Sequence, residues 1–141
     1  MSFDLILEKI ARGSPVQDKD YLVSDEDGWT IAHVLAATKV FPVNFEHWEV
    51  KDHKGFSVAH QAAFYKKLPT GFTKWLIVDL KGDSVAHIAA RNGTFPIVYQ
   101  NNHNVFYKHV NHAGVSVKDE VKAFGTSRLE AMKTLLKGKM S

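Results

Sequence analysis

Eight histidines stand in this 141-residue chain, and three of them keep one spacing: His33, His60 and His87 lie 27 residues apart. Imidazole is the commonest metal ligand and the usual general base near neutral pH. The chemistry to consider first is therefore zinc binding or proton transfer. The neighbours of these histidines argue against both. Gly28, Gly55 and Gly82 keep the same interval, as do Pro42, Pro69 and Pro96. A period held at so many positions marks stacked repeats. One position in successive packed helices recurs roughly every 8–10 Å, whereas each zinc donor must lie ~2 Å from the metal. The three histidines are expected to be structural. His109-x-x-His112, with His103 nearby, is a looser cluster without an evident further ligand.

Other reaction centres are equally hard to find. The chain has no glycine loop of the kind that cradles phosphate, no nucleophile elbow and no His-Glu-x-x-His. Asp119 and Glu120 are adjacent, and adjacent helical residues do not face each other. Cysteine is absent, which removes disulfides and thiol chemistry. These features predict a protein that is not an enzyme and needs no metal or other cofactor.

The elements that must position the histidines are read from the repeats. Each opens with Asp (25, 52, 79), whose short acceptor side chain starts a turn. Glycine three residues on supplies a positive φ. Thr30, Ser57 and Ser84 then serve as helix N-caps. Each histidine falls three residues past its cap, where its ring can reach back as Glu does in a capping box. Ala62-Ala63 and Ala89-Ala90 are small enough for close helix approach, with Leu35-Ala36 in the first copy. Phe41, Leu68 and Phe95 precede the three prolines, and Phe45, Phe72 and Tyr99 follow three residues after them. With Trp48 and Trp75, they predict a second, shorter helix per repeat with one buried face.

The repeats occupy 25–51, 52–78 and 79–110, the third longer by five residues. Residues 1–24 read as an N-terminal cap and connector: a helix with Phe3, Ile6, Leu7 and Ile10 on one stripe, then packed Tyr21 to Val23 and solvated Gln17 to Asp20. Residues 111–141 read as a worn fourth copy and C-terminal cap. There Asp119 replaces the histidine, and Ser127 to Glu130 form a capping box before a stripe of Leu129, Met132, Leu135 and Leu136. End repeats need a polar outer face. The whole is one all-α domain.

The pattern Asp-x-x-Gly-x-Ser/Thr-x-Ala-His-x-Ala-Ala resembles the ankyrin repeat, clearly over residues 25–110 and weakly over 111–141. Its period of 27 is shorter than the usual 33, which implies a truncated outer helix, and Ile31, Val58 and Val85 stand where that family has proline. The resemblance implies an ankyrin-like helix-turn-helix solenoid that binds, inhibits or sequesters another protein through loop tips and inner helices. Carried over position by position, that surface would be Glu26, Asp27 and Trp29, then His53, Lys54, Phe56, Phe64 and Tyr65, then Leu80, Lys81, Asp83, Arg91 and Asn92. These positions vary among the copies while the frame does not. The insertion after Pro96 is a further candidate for specificity.

Charge adds an alternative. Residues 1–30 hold seven acids against three bases, although the whole chain is +3, and Lys118, Lys122, Arg128, Lys133, Lys137 and Lys139 crowd the other end. Such asymmetry can steer nucleic acid or self-association, while a monomer remains the simpler expectation. The N-terminal residues lack a basic leader segment, and no apolar run approaches the ~20 residues of a membrane span. A cytoplasmic protein without membrane partners is expected.

Overall fold

A computed structural model describes residues 2–38 and 45–140; Phe41 and Pro42 lie outside the described residues. The turns form as their sequence demands. Asp52 Oδ1 accepts the amides of Lys54 and Phe56 at 2.9 and 3.0 Å, and Asp79 Oδ1 accepts those of Lys81 and Asp83 at the same distances. Asp25 and Asn111 do the same in the first and fourth copies. The glycines that follow have φ of +77°, +78°, +75° and +81° at Gly28, Gly55, Gly82 and Gly114, a region only glycine enters without strain. A single bridge closes each turn, Ser24 to Thr30, Lys51 to Ser57, Val78 to Ser84 and Val110 to Ser116. Among the described residues there is no longer strand.

Each turn feeds a helix. We label the helices α1 (Phe3–Ala11), α2 (Ile31–Thr38), α3 (Val58–Phe64), α4 (Val85–Arg91), α5 (Val105–Lys108) and α6 (Val117–Met140). α1 packs on α2, α2 on α3, α3 on α4, and α4 on α6. The alanines allow this: Ala59, Ala62, Ala63, Ala86 and Ala89 are wholly buried, in one core cluster that runs from Ala32 to Val117. The protein is thus all-α, and no helix among the described residues is long and apolar enough to cross a membrane.

The return legs correct one expectation. Residues 45–51 and 66–78 hold turns and bridges but no outer helix. The insertion in the third leg supplies only a 3-10 turn, Ile97–Tyr99, and the one-turn α5. A 27-residue period leaves each leg little length, and in the second leg Gly71 turns the chain with a φ of +87°. Phe45, Trp48, Phe72, Trp75 and Phe95 are nevertheless buried, and Tyr21 half-buried. They form an edge-to-face ladder in which Tyr21, Phe45, Trp48, Phe72, Trp75 and Phe95 follow one another at centroid distances of 5.8, 5.0, 5.1, 5.0 and 5.5 Å. Such contacts add about 0.5–1.5 kcal/mol each beyond burial.

Both ends differ from expectation too. In the connector Asp20 is buried and its carboxylate accepts the Gln17 amide at 2.9 Å, while Leu22 is exposed. Asp20 is needed to cap the 3-10 turn Asp18–Leu22. At the other end Ser127 begins no new helix. α6 runs unbroken through Gly125 and Gly138. It starts at Ser116, whose hydroxyl accepts the Asp119 amide at 3.0 Å while Asp119 accepts the Ser116 amide at 3.1 Å. Asp119 thus does at the fourth cap what histidine does at the others. These bonds to Ser116 hold its carboxyl below the ordinary range.

Candidate protein interaction surface

The repeated histidines are consumed by the frame. Nδ1 of His33, His60 and His87 lies 2.8, 2.7 and 2.9 Å from the hydroxyl of Thr30, Ser57 and Ser84. Nε2 reaches the next repeat, 3.0 Å from Phe56 O, 2.8 Å from Asp83 O and 2.9 Å from Val115 O. A carbonyl can only accept, so Nε2 carries the proton and Nδ1 accepts from the cap. Each ring is wholly buried. Burial foremost lowers the pKa of His33 and His60, against the pull of their carbonyl partners. His33 and His60 are thus neutral imidazoles, and all three rings tie one repeat to the next. Among the described residues no group of His, Asp and Glu could hold a metal. His109 lies against His87 at 5.6 Å, its pKa lowered by burial and then by that neighbour.

The turns are tied as well. The amides of His53 and His112 donate to Asp27 O and Lys81 O at 3.2 and 3.0 Å. The side chain after each turn's first residue lies over the preceding glycine: His53 over Gly28, Leu80 over Gly55 and His112 over Gly82. One row of turn tips results. Glu26, Asp27, His53, Lys54, Leu80 and Lys81 are all exposed on it. Its fourth member is His112 with Ala113, both exposed, which the register of the fourth copy puts at the tip position. Trp29 and Phe56 stand behind the row, half-buried, against His33 at 6.1 Å and His60 at 5.1 Å.

A second set gathers at the helix ends. Phe64 and Tyr65 are exposed and pack edge to face at 5.1 Å. Asn92 donates to Ala63 O and Phe64 O, both at 3.0 Å, and so caps α3 from the neighbouring repeat. Asp83 and Arg91 have internal work. Asp83 is only 4% exposed, and Arg91 grips both its oxygens at 3.0 and 2.9 Å while also pairing with Glu120. Burial opposes ionisation of Asp83, but hydrogen bonds from Arg91 and Asn111 outweigh it and hold the carboxyl below the ordinary range. Asp83 has no surface to offer a partner, because it must neutralise Arg91 within the stack.

The return legs contribute a hollow of about 390 Å³ walled by Leu68, Pro69, Phe72, Trp75, Pro96 and Tyr99. The insertion leaves Ile97 and Val98 exposed beside it. No protein-family model matches the chain, and no curated protein matches it.

Proposed function

We propose that this chain is an ankyrin-like interaction module that binds another protein in the cytoplasm, inhibiting or sequestering it, rather than an enzyme. One observation carries the reading. Turn, cap and histidine bonds recur almost identically, while the exposed tips Glu26, His53 and Leu80 and the ring pair Phe64 and Tyr65 differ from copy to copy. A rigid frame lowers the entropy lost on binding, and exposed aromatic residues are the types that dominate interface energies. The second repeat, with α3 alone, departs from the two-helix ankyrin form, while the exposed row of turn tips supports the reading.

The test is a partner captured by the wild-type chain, identified, and titrated against a Phe64→Ala, Tyr65→Ala, Leu80→Ala variant. All three side chains are exposed, so stability should change by no more than about 0.5 kcal/mol per substitution. Affinity should fall about 100-fold, since roughly 2–3 kcal/mol attends loss of such anchors. Undiminished affinity would place the contact surface elsewhere.

A second reading, nucleic-acid binding, draws on exposed Lys122, Arg128, Lys133, Lys137 and Lys139 of α6. It requires a gel shift that weakens steeply with salt. No shift at low salt removes it.

A further inference from the structure

From residue 125 to residue 139 every side chain of α6 is exposed. That length, about 22 Å at 1.5 Å per residue, projects beyond the part that packs on α4. Near its start Val117 is wholly buried, Val121 packs on the core, and the Phe124 ring covers Gly93 beyond the end of α4. At 100° per residue the same face continues through Leu135 and Met132 and spreads to Leu136 and Leu129, an arc of about 140°. Those four side chains are 76%, 55%, 57% and 50% exposed. The inter-helix face thus continues without cover among the described residues.

The face is not purely apolar. The same arc takes in Arg128 and Lys139, and Lys133 flanks it; Glu130 is the one acid from residue 125 onward. Pairing of two α6 overhangs would set Arg128 and Lys139 against their own kind. The surface that covers them must offer carboxylates beside apolar groups. The opposite end of this chain does so. α1 turns Ile6 inward and leaves Asp4, Leu5 and Glu8 exposed. Leu22 and the acidic turn Asp25, Glu26 and Asp27 are also exposed at that end of the row, where α1 and residues 18–22 both pack on α2.

We propose that the α6 overhang of one copy seats on the acidic α1 end of a second copy, so that chains associate head to tail. The two surfaces differ, so the contact is heterologous and can repeat. It takes up only the first turn of the row, at Glu26 and Asp27, and leaves the tips from His53 onward free.

The experiment is sedimentation equilibrium of the full chain from micromolar to millimolar concentration, at low and high salt. Two variants accompany it, both confined to exposed residues and checked for folding by circular dichroism: head-blocked Leu5→Lys, Glu8→Lys and tail-blocked Met132→Glu, Leu135→Glu. The wild type should gain mass with concentration, beyond a dimer, and lose it with salt. Each variant alone should stay monomeric. Their equimolar mixture should form a one-to-one dimer and stop, because one good head meets one good tail. A wild type that stays monomeric throughout overturns the proposal, including one that floats with phosphatidylserine-containing vesicles instead. A head-blocked variant that still associates overturns it in favour of α6 pairing.

Discussion

Acid should weaken this fold through its buried histidines, and His60 allows the effect to be worked out. The ring has no accessible surface. It donates from Nε2 to Asp83 O at 2.8 Å and accepts at Nδ1 from Ser57 at 2.7 Å. A second proton would leave Nδ1 and the Ser57 hydroxyl both with hydrogens in place, and the charge would have to be held in a site without water. Burial accordingly lowers the pKa, and outweighs the upward pull of the Asp83 carbonyl and of the Asp79 and Asp83 carboxylates; Lys51 acts with burial. In the unfolded chain the ring titrates near 6.5. Below that pH the unfolded state binds the extra proton, so stability falls as pH falls. The contribution is fully present above the unfolded pKa and is lost as pH drops through the folded one. Its steepest slope is one proton, about 1.4 kcal/mol per pH unit, against a total of about 5–15 kcal/mol for a typical domain. Urea denaturation at pH 7.5, 6.5 and 5.5 (the settings straddle ~6.5) on the wild type and His60→Gln isolates the site, because the amide offers a donor and an acceptor but does not titrate. At the highest pH the variant should lose about 1–3 kcal/mol. Its stability should then decline with acid less steeply than the wild type's, by up to one proton. Parallel profiles, or a wild type that gains stability on acidification, would refute the assignment of a neutral bridging imidazole. His33 acts with the same sign.

Glycine substitutions separate backbone strain from stacking. A Cβ on Gly82 would meet His112 Cδ2 at 2.6 Å and the His112 backbone nitrogen at 2.9 Å, whereas one on Gly114 would meet nothing within 4 Å. Both have positive φ, so Gly114→Ala should cost about 1–2 kcal/mol and Gly82→Ala about 1–3 kcal/mol more, read from chemical denaturation. Equal losses would mean that the turns do not press on one another. Gly125 lies in mid-helix with open space around it. Gly125→Ala should favour the α6 helix by about 1 kcal/mol, seen as increased helical circular dichroism with no loss of stability; a decrease would argue that α6 bends or breaks there.

Much of the frame was legible because it depends on near neighbours in sequence. Asp52 and Gly55 make one turn, Ser57 and His60 one cap, and the 27-residue recurrence repeats both. The outer helices were misread for a related reason. Phe72 and Trp75 stand at helical spacing, but three-residue spacing shows only that both are buried, and a ladder of edge-to-face rings buries them equally well without a helix. Asp83 and Arg91 looked free because their sequence positions vary among the copies. Asp83 lies eight residues from Arg91, beyond the reach of turn and cap patterns, and Arg91 pairs also with Glu120 of α6, 29 residues away. The variable site was one more structural bond.

By itself the sequence determined the repeat, the turn chemistry, the caps and the structural nature of the three histidines. The turns and caps follow from hydrogen bonds between residues no more than four apart, and the 27-residue recurrence makes the histidines part of the same frame. Only the tertiary structure decided where Nε2 of each histidine ends, which polar residues are spent inside, and that α6 is one helix with an uncovered face. Those outcomes depend on what lies across the gap between repeats. There, burial removes water as the alternative partner, so every polar group must find its match in another part of the chain.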